Sequence, residues 1–244
     1  MNAIRQLAVV IPARNEAAWL DRCLTAVAVA MARLRDAEPA VECRLIVVLD
    51  RCTDGSAAVV AAHPGVTAVS TTVGMVGAAR RLGADIALSA VAEPATAWIA
   101  CTDADSAPSP NWLRRQLELA AAGAAMVLGT VVPSRDDLTE AIFDEWSQRH
   151  QSDEGHSCVH GANLGIRGDL YRRVGGFARV AEHEDVLLAT AARRAGGRVV
   201  STASCPVTTS GRARGRTPGG FAGYLAALEG EMSIGVLTDA YRSA

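Results

Sequence analysis

The sequence predicts an α/β fold with a mostly parallel central sheet and helices on both faces. Three observations point there. Short apolar, β-rich runs recur at residues 7–11, 45–49, 66–69 and 97–101. Stretches with apolar residues at helical spacing separate them. Polar clusters follow three of those runs, at the chain positions where open α/β sheets bind ligands. Alternating strands and helices bury all their apolar surface when the sheet is parallel and covered on both faces.

Residues 7–11 (Leu-Ala-Val-Val-Ile) read as the first strand. Leu20, Cys23, Leu24, Val27, Met31 and Leu34 then share one helical face. Residues 45–49 are a second strand, followed by a turn and a short helix over 56–62. Residues 66–69 give a third strand, 77–88 a third helix and 97–101 the fourth strand. The alternation then changes. A helix is expected over 110–122, a strand over 125–132, and a polar, acid-rich helix with Phe143 and Trp146 over 135–151. A loop follows over 152–158, a short extended segment over 161–166 and a helix over 186–194 that ends at Gly196-Gly197. Val199-Val200 opens another strand, and 221–241 is helical with a loose apolar face.

The chain has 244 residues and a formal net charge of -2. That balance argues against a nucleic-acid binder that depends on a basic surface. It contains no lysine, so every fixed side-chain cation is arginine. Schiff-base and P-loop lysines are therefore excluded, and any phosphate must be met by arginine, metal or backbone N–H groups. The six cysteines are scattered without a CxxC spacing, which reads as reduced thiols in a cytoplasmic protein. No secretory pattern or membrane-length apolar run is expected.

Asp103-Ala104-Asp105 is the most informative motif. It follows the fourth strand, and residues two apart on an extended chain point the same way. Two carboxylates presented at a strand end suit a divalent cation, whose usual partner is a diphosphate. A polar turn explains the same residues, because Ser106-Ala107-Pro108 follows. The first strand ends in Pro12-Ala13-Arg14-Asn15-Glu16 and the second in Asp50-Arg51-Cys52-Thr53-Asp54-Gly55-Ser56. Asn15 and Ser56 read as helix N-caps. Asp50, at a buried strand end, needs donors, and a base or ribose offers N–H or O–H groups. Gly74-Met75-Val76-Gly77-Ala78-Ala79-Arg80-Arg81 opens a helix where glycines allow a ligand close and Arg80 can reach it. The glycine-rich dinucleotide fingerprint does not follow the first strand, which argues against an NAD site.

Taken together these segments resemble the family 2 glycosyltransferases of the GT-A fold. The second half agrees: Gly161-Ala162-Asn163-Leu164-Gly165-Ile166-Arg167 with Val174-Gly175-Gly176-Phe177 resembles the family's acceptor-side segment, and Glu182-His183-Glu184-Asp185 its acidic helix start. The resemblance covers about residues 7–217. It implies a single GT-A domain over 1–217, with a nucleotide-binding half over 1–109 and an acceptor half over 110–217, and a helical tail over 218–244.

The resemblance also implies transfer of a sugar from a nucleotide diphosphate donor to an acceptor hydroxyl on a small molecule, lipid or saccharide. Pro12, Arg14 and Glu16 would line the nucleoside pocket, Asp50 would recognise the base with Arg80 nearby, and Asp103 would contact the ribose. Asp105 would hold Mg²⁺ or Mn²⁺ against the diphosphate. Asp185 would be the general base of an inverting reaction, with Gly161, Asn163 and Glu184 on the acceptor side. Favourable placement of acids at a helix N-terminus also explains Asp185. Arg212 and Arg216, set among glycines, would close over the diphosphate. Some relatives carry a metal-binding histidine near there, and this chain has none. His156 and His160 have an i,i+4 spacing, but Gly155 and Gly161 argue against a helical zinc site. The tail could contact a membrane surface or a second copy, although core packing explains it too. A retaining transferase on the same scaffold, a nucleotidyltransferase and a non-catalytic nucleotide-sugar binder are the rivals. The second of these needs a glycine-rich first loop and a lysine that this chain lacks.

Overall fold

Four apolar runs build the parallel half of the sheet. In a computed structural model of the chain, β1 (Gln6–Ala13), β2 (Glu42–Asp50), β3 (Val66–Thr71) and β4 (Ala97–Cys101) lie side by side in the order β3-β2-β1-β4. All of these pairings are parallel. Residues 3–150, 154–180, 182–212, 215 and 220–242 are described, with side chains up to residue 233. The parallel register brings the C-terminal ends of β1, β2 and β4 to one edge of the sheet.

Both faces of β1, β4 and residues 45–50 of β2 are buried, as uninterrupted apolar runs require, whereas β3 stands at the sheet edge and is half-buried to exposed. Val9, Ile11, Val47, Leu49, Trp98 and Ala100 pack on α1 (Ala17–Ala37), α2 (Ser56–Ala61) and α4 (Trp112–Ala121). Val10, Ile99 and Cys101 face the other layer, formed by α3 (Val76–Ser89), α6 (Gly168–Arg173) and α7 (Glu184–Arg194). Each buried Leu or Ile contributes about 1.5–3 kcal/mol relative to exposure. Gly83 of α3 lets that helix approach β1: a Cβ there would stand 2.5 Å from Val10 Cγ1.

The other half of the sheet departs from parallel pairing. β7 (Leu164–Arg167) runs antiparallel to both β4 and β6 (Met126–Pro133), and β5 (Ser106–Pro108) runs antiparallel to β8 (Val199–Thr209). The full order is β3-β2-β1-β4-β7-β6-β8-β5. The mostly parallel expectation therefore holds over the first half, where strands and helices strictly alternate. β5 falls in the stretch that reads as a polar turn; three residues with a proline carry no periodicity, and their partner strand lies about 100 residues away. α6 was likewise not expected, being too short for a 3.6-residue repeat to register.

The chain divides into two compact units. The first, Met1–Val132 with Asp153–Thr209, holds the sheet and its covering helices. The second, Pro133–Ser152 with Ser210–Ala244, is built on α5 (Glu140–Arg149) and α8 (Phe221–Arg242). Thr139 caps α5, accepting the Ile142 N–H at 3.4 Å. Trp146 and His150, one turn apart, stack with centroids 5.0 Å apart, and Tyr224 of α8 meets His150 edge-on at 5.1 Å. Arg149 bridges Glu145 and Glu231 at 2.6 and 2.8 Å. No helix among the described residues is long and apolar enough to cross a membrane.

Candidate functional site

The first two strand-end clusters interlock. Asn15 and Ser56 do not cap their own helices; each serves the neighbouring loop instead, because the parallel register sets the two loops side by side. Asn15 Oδ1 accepts the Thr53 N–H at 2.7 Å, and the Ser56 hydroxyl accepts the Glu16 N–H at 2.9 Å. Asp54 accepts the Ala17 N–H at 2.9 Å, so the open N-terminus of α1 is satisfied from the β2 side. Asn15 and Arg51 both adopt left-handed backbone, with φ of 52° and 53°. Such strain persists where surrounding contacts over-determine it, and it concentrates at functional loops. Pro12 and Arg14 are half-buried on this rim, and Glu16 is buried.

Asp50 is the last residue of β2 and is buried. Its Oδ1 accepts the Gly74 N–H at 2.9 Å. Gly74 has φ +71°, and the Arg51 guanidinium lies where its Cβ would stand, as near as 2.6 Å. Arg51 Nε donates to the Thr72 carbonyl at 2.9 Å. Arg51 thus lies along the rim beside Asp50, a role that nothing in the local sequence distinguishes from that of a solvated turn arginine.

Arg80 is the electrostatic centre of the edge. It is almost wholly buried on α3, and its guanidinium donates to Glu184 Oε1 on one side and to Asp103 Oδ1 on the other. Burial opposes its charge, but Asp103 and then Glu184 outweigh that and hold its pKa above the ordinary arginine value. Glu184 is buried, and burial pushes its carboxyl above the usual range against the pull of Arg80, with Asp185 adding to the rise. Neighbouring Cys101 is pushed up to about 12 by burial, so its thiol stays neutral.

The two acids of the Asp-Ala-Asp motif are delivered by a turn rather than by strand alternation, because β4 ends at Cys101. Asp103 goes to Arg80. Asp105, half-buried, meets β8: the Ser106 hydroxyl donates to Thr209 Oγ1 at 2.9 Å, and the Thr209 hydroxyl lies 3.4 Å from Asp105 Oδ1. The Cys23 thiol of α1 donates to the Asp103 carbonyl at 3.3 Å, tying the turn to the helix beneath it. Among the described residues no three His, Cys, Asp or Glu side chains form a metal cluster. The donor set around Asp105 is carboxylate plus hydroxyl oxygen, which suits a hard cation whose remaining positions are filled by phosphate oxygens and water.

Asp185 opens α7, next to Glu184 and after His183, which has φ 63°. Asp185 Oδ2 accepts the Gly161 N–H at 2.6 Å and Oδ1 its neighbour Val186's N–H at 2.8 Å. Gly161 also leaves room for Arg80: a Cβ there would stand 2.5 Å from the guanidinium. Asn163 is fully buried and turned into the core. Its Nδ2 donates to the Thr130 and Cys205 carbonyls at 2.8 and 2.9 Å, and its Oδ1 accepts Trp112 Nε1–H at 2.8 Å. Gly129 makes this possible, since a Cβ there would stand 2.2 Å from Asn163 Nδ2. Asn163→Ala strands these partners and is expected to lower unfolding free energy by about 3 kcal/mol, read from urea denaturation; a loss under about 1 kcal/mol would show that the network contributes little.

Arg212 lies in the second unit, half-buried, with its N–H donating to Ser210 Oγ at 3.2 Å. Arg216 lies outside the described residues. The segment carrying His156 and His160 is not helical, and His156 Nε2 sits 3.3 Å from the Thr202 carbonyl. Arg51, Ser106, Thr209 and Cys23 make contacts around the site that no sequence signal assigned to them.

Comparison with known structures finds the same α/β architecture, the GT-A fold, in S. aureus TarS (13% identity, TM-score 0.63, covering 84% of this chain and 36% of that one). It recurs in the mannosyltransferase PcManGT of Pyrobaculum calidifontis, solved with GDP-Man and Mn²⁺ (21% identity, TM-score 0.62, covering 88% of this chain and 59% of that one). It recurs again in glucosyl-3-phosphoglycerate synthase of Mycobacterium tuberculosis, solved with Mn²⁺, UDP and glucosyl-3-phosphoglycerate (20% identity, TM-score 0.53, covering 84% of this chain and 71% of that one). The chain thus spans 36% of the length of TarS and 59% of that of PcManGT, less than two thirds of either. No curated protein sequence matches it. Residues 8–172, more than half of the 244, match the profile described as "Glycosyl transferase family 2", and the chain belongs to that family.

Proposed function

We propose that this protein transfers a sugar from a nucleoside diphosphate donor to an acceptor hydroxyl, with inversion at the anomeric carbon. The observation that carries this reading is the bridge across the sheet edge. One buried guanidinium, Arg80, joins the donor-side carboxylate Asp103 to the acidic start of α7, where Asp185 sits.

In this reading Pro12, Arg14 and Glu16 line the nucleoside pocket, and Asp50 accepts an N–H of the base. Asp103 accepts a ribose hydroxyl. Asp185 takes the proton of the acceptor hydroxyl as its oxygen bonds to the anomeric carbon and the bond to the diphosphate breaks. The Gly161 and Val186 N–H groups hold that carboxylate in place. Asp103, Asp105 and Asp185 reach this edge half-buried, Asp50 and Glu184 lie buried behind them, and Arg80 is already engaged by two carboxylates. Each unscreened like-charge pair at about 4 Å opposes a diphosphate by about 4 kcal/mol at an effective dielectric of about 20. Asp105 would therefore hold Mg²⁺ or Mn²⁺, which when bound neutralises the diphosphate and stabilises it as a leaving group. The structural neighbours solved with GDP-Man or UDP and Mn²⁺ support this reading. The acceptor is a small molecule, lipid or saccharide. All six cysteines are free thiols, which suits the reducing cytoplasm.

A panel of UDP-, GDP- and dTDP-sugars tests it. A matching donor at about 100 times its Kd stabilises the fold by about 2.7 kcal/mol. The expected result is a rise in Tm for at least one donor with Mn²⁺, absent with EDTA, and release of the nucleoside diphosphate under the same conditions. Proton NMR of the product's anomeric signal then reads inversion. Silence across the panel would overturn the transferase reading.

A further inference from the structure

Two residues expected on the acceptor side turn toward the protein instead. Glu184 is 3% exposed and its carboxylate is directed at Arg80. Gly161 has no side chain, and the space a Cβ would fill is taken by the same guanidinium, whose CZ, Nη1 and Nη2 all lie 2.5 Å from that position. These contacts close a circuit. Glu184 holds Arg80, and Arg80 holds Asp103. Arg80 also packs on Gly161, the Gly161 N–H holds Asp185 at 2.6 Å, and Asp185 follows Glu184 in α7. The members come from α3, the turn after β4, the turn before β7 and α7, so no single element can position them alone.

We infer that Glu184 and Gly161 are positioning residues that act through Arg80, setting the donor-side Asp103 and the proton-accepting Asp185 in one fixed relation. The inference rests on the transferase reading above. A guanidinium has a rigid planar fork, so anchoring one edge on Glu184 sets the direction of the other edge toward Asp103. A flat guanidinium against a backbone with no Cβ sets the height of residue 161, and hence of the N–H that Asp185 accepts. Displacing Asp103 and Asp185 together by a fraction of an ångström misaligns donor and acceptor at once, and a misplacement of about 1 Å can cost about 100-fold in rate. Neither Glu184 nor Gly161 needs to touch substrate for this to hold.

The test is a double-mutant cycle in the full chain, with the best donor of the panel and Mn²⁺. Glu184→Gln keeps the shape and one acceptor oxygen but drops the charge; Gly161→Ala adds one methyl against the guanidinium. Each is expected to lower the rate of nucleoside diphosphate release about tenfold or more and to raise the donor Kd several-fold. Glu184→Asp, which keeps the charge, is expected to recover part of the loss that Glu184→Gln causes. Because both act through one side chain, the double variant is expected to be no worse than the more severe single, whereas independent effects multiply. Circular dichroism and thermal melts confirm that the variants fold. If Gly161→Ala does not fold, the cycle is run with Arg80→Lys and Glu184→Gln. An active wild type whose losses multiply, or whose donor Kd and turnover ignore Glu184→Gln, overturns this inference alone. A wild type silent toward every donor overturns the transferase reading and takes this inference with it.

Discussion

Asp185→Asn is expected to lower turnover by about 10²–10⁴-fold while leaving donor affinity within about twofold of wild type. Asparagine is isosteric and its Oδ1 can still accept the Gly161 N–H, so the α7 start is preserved. What it cannot do is take a proton. The wild-type carboxylate accepts from two N–H groups, Gly161 and Val186, through different oxygens. The amide must present its NH₂ to one of them, at a cost of about 1 kcal/mol in stability. The measurement pairs steady-state release of nucleoside diphosphate with calorimetric donor binding, both with Mn²⁺. A variant that turns over normally would remove Asp185 from the chemistry. A variant that loses donor binding and turnover in proportion would make it a donor-site residue instead.

Arg80→Ala is expected to destabilise the fold by about 3–5 kcal/mol, because it leaves the buried Glu184 carboxylate without its counter-charge. Asp103 is the lesser part of that cost, since its side chain is 36% exposed and can hydrate. Arg80→Lys is expected to recover only part of the loss: one ammonium cannot reach two carboxylates in the directions a guanidinium fork does. Replacing Arg80 and Glu184 together with methionine removes both charges and is expected to restore most of the stability, while donor turnover stays low because Asp103 and Gly161 have lost their anchor. Urea denaturation gives the stabilities and the donor assay the activities. Restored activity in the doubly apolar variant would show that the charge bridge serves folding only.

The parallel half of the fold was legible because its signals are local. Residues 7–11, 45–49 and 97–101 are apolar on both faces, and that pattern survives burial in a sheet covered on both sides; 66–69 carries the exposed Thr67 because β3 is the edge strand. The boundaries moved by a residue or a few, mostly outward, since ladder bonds extend a strand past its apolar centre: β2 reaches from Glu42 to Asp50. β5 was not legible, because its only support is pairing with β8. The Asn15 and Ser56 capping expectations were wrong in partner although right in chemistry. Both side chains do satisfy backbone N–H groups, but on the neighbouring loop, which only the parallel register brings within reach. Asn163 shows the same limit. Its segment marks the family, yet a sequence cannot say whether an amide faces a cleft or the Trp112 indole.

Composition and order alone settled the absence of lysine, the near-neutral charge, the strand–helix alternation and the acids that follow the strands, since each is a property of neighbours along the chain. Folding decided which of those acids meet. Arg80 and Glu184 are 104 residues apart in sequence, as are Asp105 and Thr209, and no local pattern encodes either pair. Their meeting depends on the sheet order β3-β2-β1-β4-β7-β6-β8-β5. That order is a compromise of packing and ladder geometry over the whole first unit, and charges placed at its edge take their partners from it.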